Sequence, residues 1–247
     1  MGMVSEKQIN DFVRRLQKAA GANLESVILY GSAATGDFHP EYSDLNLLCI
    51  LRELSYASLE AMAPAIEWWS RQKHRAPLLM SHEELKRSAD VFAIELMDIQ
   101  QHHRVLLGED ILKSLQVPMH LHHAQLEYEL REKLILLRQR LLLAAGNRKA
   151  TWDVLLYALP TFATLFRHTL IAQGDSAPDN KREAVKKLAA RMGFDASVFE
   201  QALNIREHKN DPKKLDVRNI ASRYLAAVEQ VTVAVDRMLD SAGRRGS

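Results

Sequence analysis

The chain of 247 residues has one cysteine, Cys49, so no disulfide can form within it and its stability must come from packing. Cys49 lies in the apolar run LNLLCIL, where a small buried thiol is expected. An excess of charge of either sign is also missing. Thirty-three Lys and Arg stand against 31 Asp and Glu, a formal net charge of +2, which gives no global case for nucleic acid as a partner. Long apolar runs are absent as well. The segment MGMVSEKQIN has no apolar core of signal-peptide type, and WDVLLYALPTFATLF is interrupted by Asp153 and Pro160, so a cytoplasmic protein with no membrane span is expected. There is no internal repeat and no low-complexity tract. What the chain does have is apolar material: 47 % hydrophobic residues can fill one large core or two modest ones.

The periodicity changes partway along. EKQINDFVRRLQKAAG puts Ile9, Phe12, Val13 and Leu16 on one helical face and ends near Gly21, which predicts a helix with a glycine stop. LESVILYG reads as a strand cut off by Gly31, and DLNLLCIL as a central strand covered on both faces. SYASLEAMAPAIEWWSRQKH carries Leu59, Met62, Ile66 and Trp69 at helical spacing, with Pro64 expected near the first turn or at a small kink. APLLMS is short and extended, Ser81 stands three residues before Glu84 as in a capping box, and VFAIELMDI reads as a further strand. No β pattern follows about residue 118. AQLEYELREKLILLRQRLLLAAG aligns Leu126, Leu130, Leu134, Leu137 and Leu141 in one stripe, residues 151–172 are apolar on nearly every side, and two amphipathic helices come later. The expectation is α+β: a mixed sheet flanked by helices over residues 1–118, a helical bundle over 119–240, and a small, charged tail at 241–247.

The chemistry concentrates in LYGSAATGDFHPEYSDLNLL, residues 29–48. Gly31 and Ser32 follow a strand, where glycine lets a phosphate approach the backbone and the serine hydroxyl adds a donor. Asp44 and Asn46 are two apart, and on a strand such residues share a face, about 6–7 Å apart. Two carboxylates so placed can share divalent ions that anchor the phosphates of a nucleoside triphosphate. Asn46 offers a neutral carbonyl oxygen instead, which can ligate Mg²⁺ but cannot serve as a base.

This string resembles the nucleotidyltransferase superfamily that includes the minimal nucleotidyltransferases, the aminoglycoside adenylyltransferases and the DNA polymerase β group. In that superfamily a G-S pair is followed by D-x-D and by a third carboxylate on a later strand. The resemblance implies a polymerase β-type sheet domain. It implies that Gly31 and Ser32 contact phosphate, that Asp44 is the first metal carboxylate, and that Asn46 occupies the place of the second. Gly36 matches a small residue of the GSxARG form, and Thr35 replaces its arginine. Glu95, between aliphatic residues in IEL, is the expected third carboxylate, with Asp98 as the alternative.

Two functions from different classes follow. One is metal-dependent transfer of a nucleoside monophosphate from an NTP, ATP first, to a hydroxyl acceptor, with Mg²⁺ as cofactor. The other is nucleotide binding or regulation on the same fold with impaired catalysis, or partner binding through the leucine-rich helices, which offer a face for a homodimer. His39 is a candidate substrate contact. His102, His103, His120, His122 and His123 lack zinc-site spacing and are expected to be solvated or helix-capping. Trp68, Trp69 and Trp152 are expected to pack the surface between the two halves. The basic helices, with pairs such as Glu129 and Lys133, read as solvated faces and not as RNA-binding surfaces.

Overall fold

The computed structural model describes residues 6–35, 44–178 and 180–243. The chain divides into two compact units, Met1–Pro118 and Met119–Ser247. In the first, α1 (Glu6–Ala20), β1 (Leu24–Tyr30), α2 (Ser32–Thr35), β2 (Asn46–Leu51), α3 (Tyr56–Arg71), β3 (Leu78–Ser81), α4 (His82–Arg87), α5 (Ala93–Gln101) and β4 (His103–Leu107) follow one another. The strands lie in the order β3-β2-β1-β4. β1 runs antiparallel to β2 and β4, and β3 runs parallel to β2, so the sheet is mixed.

Both faces of this sheet are covered, which is why β1 and β2 read as continuous apolar runs. Successive side chains alternate between faces. Val27, Leu29, Leu47, Cys49 and Leu51 pack with Ile9, Phe12, Val13 and Leu16 of α1 and with Met62, Ala65 and Trp69 of α3. Ile28, Leu48 and Ile50 pack on the opposite face against Leu85 of α4 and Leu96 and Ile99 of α5. Cys49 is fully buried, and burial pushes its thiol up to about 12, so it stays protonated and inert at neutral pH. The capping box at Ser81 is formed: its side chain accepts from the backbone N–H of Glu84, and the Glu84 carboxylate accepts from the Ser81 N–H.

Several expectations are corrected here. The segment VFAIELMDI is no strand: α5 spans Ala93–Gln101, and the strand that pairs with β1 is the following HRVLL. Ala93, Leu96 and Ile99 recur every three residues and are buried, a helical period that a short apolar run conceals. Pro64 sits in the middle of α3 rather than near its start, on the solvent side. Leu59 is exposed although Met62 and Trp69 are buried. Trp69 stacks on Phe12 with ring centroids 4.3 Å apart, inside the first unit, and Trp152 is buried within the second.

The second unit contains α6 (His122–Leu143), α7 (Arg148–Ala172), α8 (Lys181–Met192), α9 (Ser197–Arg206) and α10 (Val217–Gly243). α7 packs against the other four. It is long and apolar enough to cross a membrane by length and composition, with a mean hydropathy of 1.3 over its most apolar window, and 61 % of that window is buried, as befits the central helix of a bundle. Leu126, Leu130, Leu134 and Leu137 of α6 are buried as expected. Leu121, just before α6, and Tyr128, Ile135 and Leu142 on it recur every seven residues and are exposed. His122 departs from expectation: it is fully buried, its Nε2 is 2.8 Å from Nδ1 of the equally buried His168, and its Nδ1 has no partner among the described residues.

Candidate functional site

The candidate residues Gly31, Ser32, Asp44 and Asn46 belong to the stretch where β1 ends and β2 begins. Antiparallel pairing sets Tyr30 opposite Asn46 on one side and His103 on the other, so the end of one strand meets the start of its neighbours. Gly31 then turns the chain at φ +75°, a left-handed conformation that glycine adopts at little cost. A side chain here would meet Asn46: a Cβ built on Gly31 lies 3.2 Å from Asn46 Nδ2. Ser32 follows as the first residue of α2, and the Ala34 N–H donates to the Gly31 carbonyl at 2.9 Å.

Asp44 lies two residues before β2 and is exposed, while Asn46 is the first residue of that strand and half-buried. Asn46 shares its sheet face with Leu48 and Ile50, the face on which α5 packs, and Tyr30 packs against the same cluster. Glu95 projects from the first turn of α5 and is exposed, not a buried glutamate as a central strand would have made it. Asp98, one turn further on, is half-buried. Gly36 and His39 lie outside the described residues.

Sequence reasoning missed three residues. Arg75, in the connection between α3 and β3, places its Nε 3.0 Å from Asp44 Oδ2. Tyr30 stands within the fields of both Arg75 and Glu95. Burial raises its phenol pKa and Glu95 raises it further, with Arg75 opposing both. The His74 ring lies tilted against Trp69, with centroids 4.1 Å apart; burial lowers its imidazole pKa, and the Asp44 carboxylate opposes that shift. No motif marks Arg75 or His74. The one available signal was the three basic-type side chains of KHRAP, just before a strand neighbouring the one after Asp44.

The donor set suits a hard cation, since an Asp carboxylate and an Asn carbonyl are oxygen ligands of the kind Mg²⁺ takes together with substrate phosphates and water. It does not suit two ions. Asn46 carries no charge, Asp44 already faces a guanidinium, and among the described residues no group of three or more His, Cys, Asp and Glu side chains could hold a metal ion. The histidines do not supply one: His103 Nε2 bonds Asp110 at 3.0 Å, and His122 pairs with His168.

Comparison with known proteins follows the same lines. A family model described as a nucleotidyltransferase domain matches residues 6–135. Among solved structures, spectinomycin adenyltransferase AAD(9) from Enterococcus faecialis, with ATP and spectinomycin, superposes with a TM-score of 0.59 at 14 % identity, covering 94 % of this chain and 99 % of that one. A nucleotidyltransferase-like protein from Exiguobacterium sibiricum 255-15 gives a TM-score of 0.36 at 14 % identity, over 92 % of this chain and 75 % of that one. Among curated proteins none matches this sequence.

Proposed function

Because this chain belongs to the nucleotidyltransferase domain family, we propose that it binds a nucleoside triphosphate at the Gly31–Ser32 turn and transfers the nucleoside monophosphate to a hydroxyl acceptor. The observation that carries this reading is the junction itself. A left-handed Gly31 is held beside Asn46, Asp44 lies two residues before that asparagine, and Glu95 acts on Tyr30, the residue before the glycine. In the transfer the acceptor oxygen bonds to the α-phosphorus, the bond to the β-phosphate bridging oxygen breaks, pyrophosphate leaves, and the hydroxyl proton passes to a base. Asp44 and Asn46 are the ligands for Mg²⁺, which when bound would neutralise phosphate charge. Glu95 is the base or a further ligand. Its rival for the proton, Tyr30, is unsuited to that role, because its phenol is held in the protonated form.

ATP is the first nucleotide to try, a choice supported by the shared fold with an adenyltransferase solved with ATP. A second reading, nucleotide binding with little or no turnover, is favoured by the neutral Asn46 and by the ion pair on Asp44. The exposed residues Leu121, Tyr128, Ile135 and Leu142 support a face on the helical unit for a second copy of the chain, which light scattering would detect.

The test is calorimetric titration of Mg-ATP and the other Mg-NTPs into wild type and Asp44→Ala, followed by an assay for pyrophosphate release over a panel of hydroxylated acceptors. Metal-dependent binding that disappears in Asp44→Ala, with turnover, is the expected result. Binding without release would favour the second reading, and absence of binding would end both.

A further inference from the structure

The connection between α3 and β3 is built to hold one side chain in place. Just past α3, Lys73 takes a left-handed φ of +65°, which disfavours a residue with a Cβ and so needs compensation nearby. The buried Trp69 provides it. Its ring stacks on Phe12 and contacts His74 at a tilt, and its Nε1–H donates to the Arg75 carbonyl at 2.9 Å. The backbone of Arg75 is therefore tied to the core of the first unit, while its side chain is 77 % exposed and places Nε 3.0 Å from Asp44 Oδ2. The terminal amino groups of the guanidinium make no hydrogen bond among the described residues. A guanidinium fork whose amino groups are free among the described residues, beside Asp44, is suited to bidentate recognition of phosphate oxygens.

The charges agree with that role. Compared with a site carrying two carboxylates on the strand, Asn46 removes one negative charge and Arg75 adds one positive charge. The sum of these changes is two units, the charge of one divalent cation.

We propose that Arg75 is the permanent cation of this site, taking the place of one divalent ion and binding the triphosphate directly, so that a nucleotide is held here with a single metal ion. The inference rests on the nucleotide-binding reading and deepens it. The Asp44 contact keeps the guanidinium at the site before the ligand arrives; on binding, the free amino groups engage phosphate oxygens while Asp44 turns to the metal.

The test counts ions. Mn²⁺ binding is followed by electron paramagnetic resonance in the presence of saturating ATP, alongside ATP affinity by calorimetry, for wild type, Arg75→Gln, and the double variant Arg75→Gln with Asn46→Asp. Urea unfolding controls for folding, which the exposed Arg75 side chain makes easy to satisfy. Wild type is expected to bind one Mn²⁺ per ATP complex. Arg75→Gln should weaken ATP about tenfold to a hundredfold, the loss of a charge-assisted hydrogen-bonded contact, and the double variant should take two Mn²⁺. Two ions in wild type, or an ATP affinity unchanged in Arg75→Gln, would overturn the inference while leaving nucleotide binding intact. No ATP binding by wild type would overturn both.

Discussion

Replacing Gly31 by alanine tests whether the turn after β1 and the Asn46 amide are one mechanical unit. At φ +75° a residue with a Cβ costs about 1–2 kcal/mol more than glycine, offset by about 0.4–1 kcal/mol because alanine narrows the unfolded ensemble. Gly21 isolates that backbone contribution: its φ is +54° and a Cβ there would meet nothing within 4 Å, so Gly21→Ala should cost about 0.5–1 kcal/mol. At Gly31 the new methyl group would also stand 3.2 Å from Asn46 Nδ2. Displacing that amide from its rotamer adds about 0.5–1.5 kcal/mol. Gly31→Ala is thus expected to exceed Gly21→Ala by that increment, and the increment should vanish when both are made in an Asn46→Ala background. Urea unfolding in a Trp152→Phe background would follow it, since Trp68 and Trp69 then report on the first unit alone. Equal costs at the two glycines, or an increment that survives Asn46→Ala, would refute the coupling.

Two further expectations concern the framework. Burial, reinforced by the neighbouring His168 and His123, lowers the His122 pKa to about 4, against about 6.5 in an unfolded chain. The unfolded chain therefore gains a proton that the folded chain refuses. The stability from burying the neutral ring is complete above pH 6.5 and is lost as pH falls toward 4, by roughly 2–3 kcal/mol. His122→Leu should flatten that part of the unfolding profile, and parallel wild-type and variant curves would contradict it. Trp69→Phe keeps the stack on Phe12 but deletes the 2.9 Å bond to the Arg75 carbonyl, at a cost of about 1 kcal/mol. Amide exchange at residues 72–76 should quicken in that variant, and unchanged exchange would show that the indole does not anchor the loop.

What the sequence disclosed depended on whether the relevant physics was local. The strands around Gly31 and Cys49 were legible because burial on both faces writes a continuous apolar run, and Ser81 with Glu84 was legible because a capping box is a four-residue object. The α+β order and the helical second half follow from periodicity alone. VFAIELMDI was misread because Ala93, Leu96 and Ile99 fit a helix while the same nine residues also resemble a buried strand, and only the pairing of β1 with His103–Leu107 decides between them. Arg75 and Tyr30 were invisible for a different reason. Arg75 reaches Asp44 from 31 positions along the chain, and nothing in KHRAP announces the tertiary contact that makes it part of the site. His122 was read as solvated because one sequence does not reveal that His168, 46 residues away, fills its other side.

The separation of the two sheet faces explains why the candidate polar residues lie at one end of β1 and β2. Leu47, Cys49 and Leu51 face a closed apolar layer formed by α1 and α3, where an ionised group would carry a desolvation cost with nothing to offset it. The opposite face is apolar only as far as Ile28 and Leu48. At the next alternate positions, Tyr30 and Asn46, it becomes polar, and there the exposed Glu95 from α5 and Arg75 from the α3–β3 connection act on one buried phenol with opposite sign. A group between a carboxylate and a guanidinium, and itself kept protonated, can donate a hydrogen bond but not accept a proton at neutral pH. Under the proposed transfer, proton acceptance would then fall to carboxylates and charge neutralisation to the guanidinium and whatever ion joins it. That division follows from which side of the sheet each residue occupies, and the strand register that pairs Tyr30 with Asn46 is what enforces it, because a one-residue slip of either strand would turn its own member of the pair into the apolar layer.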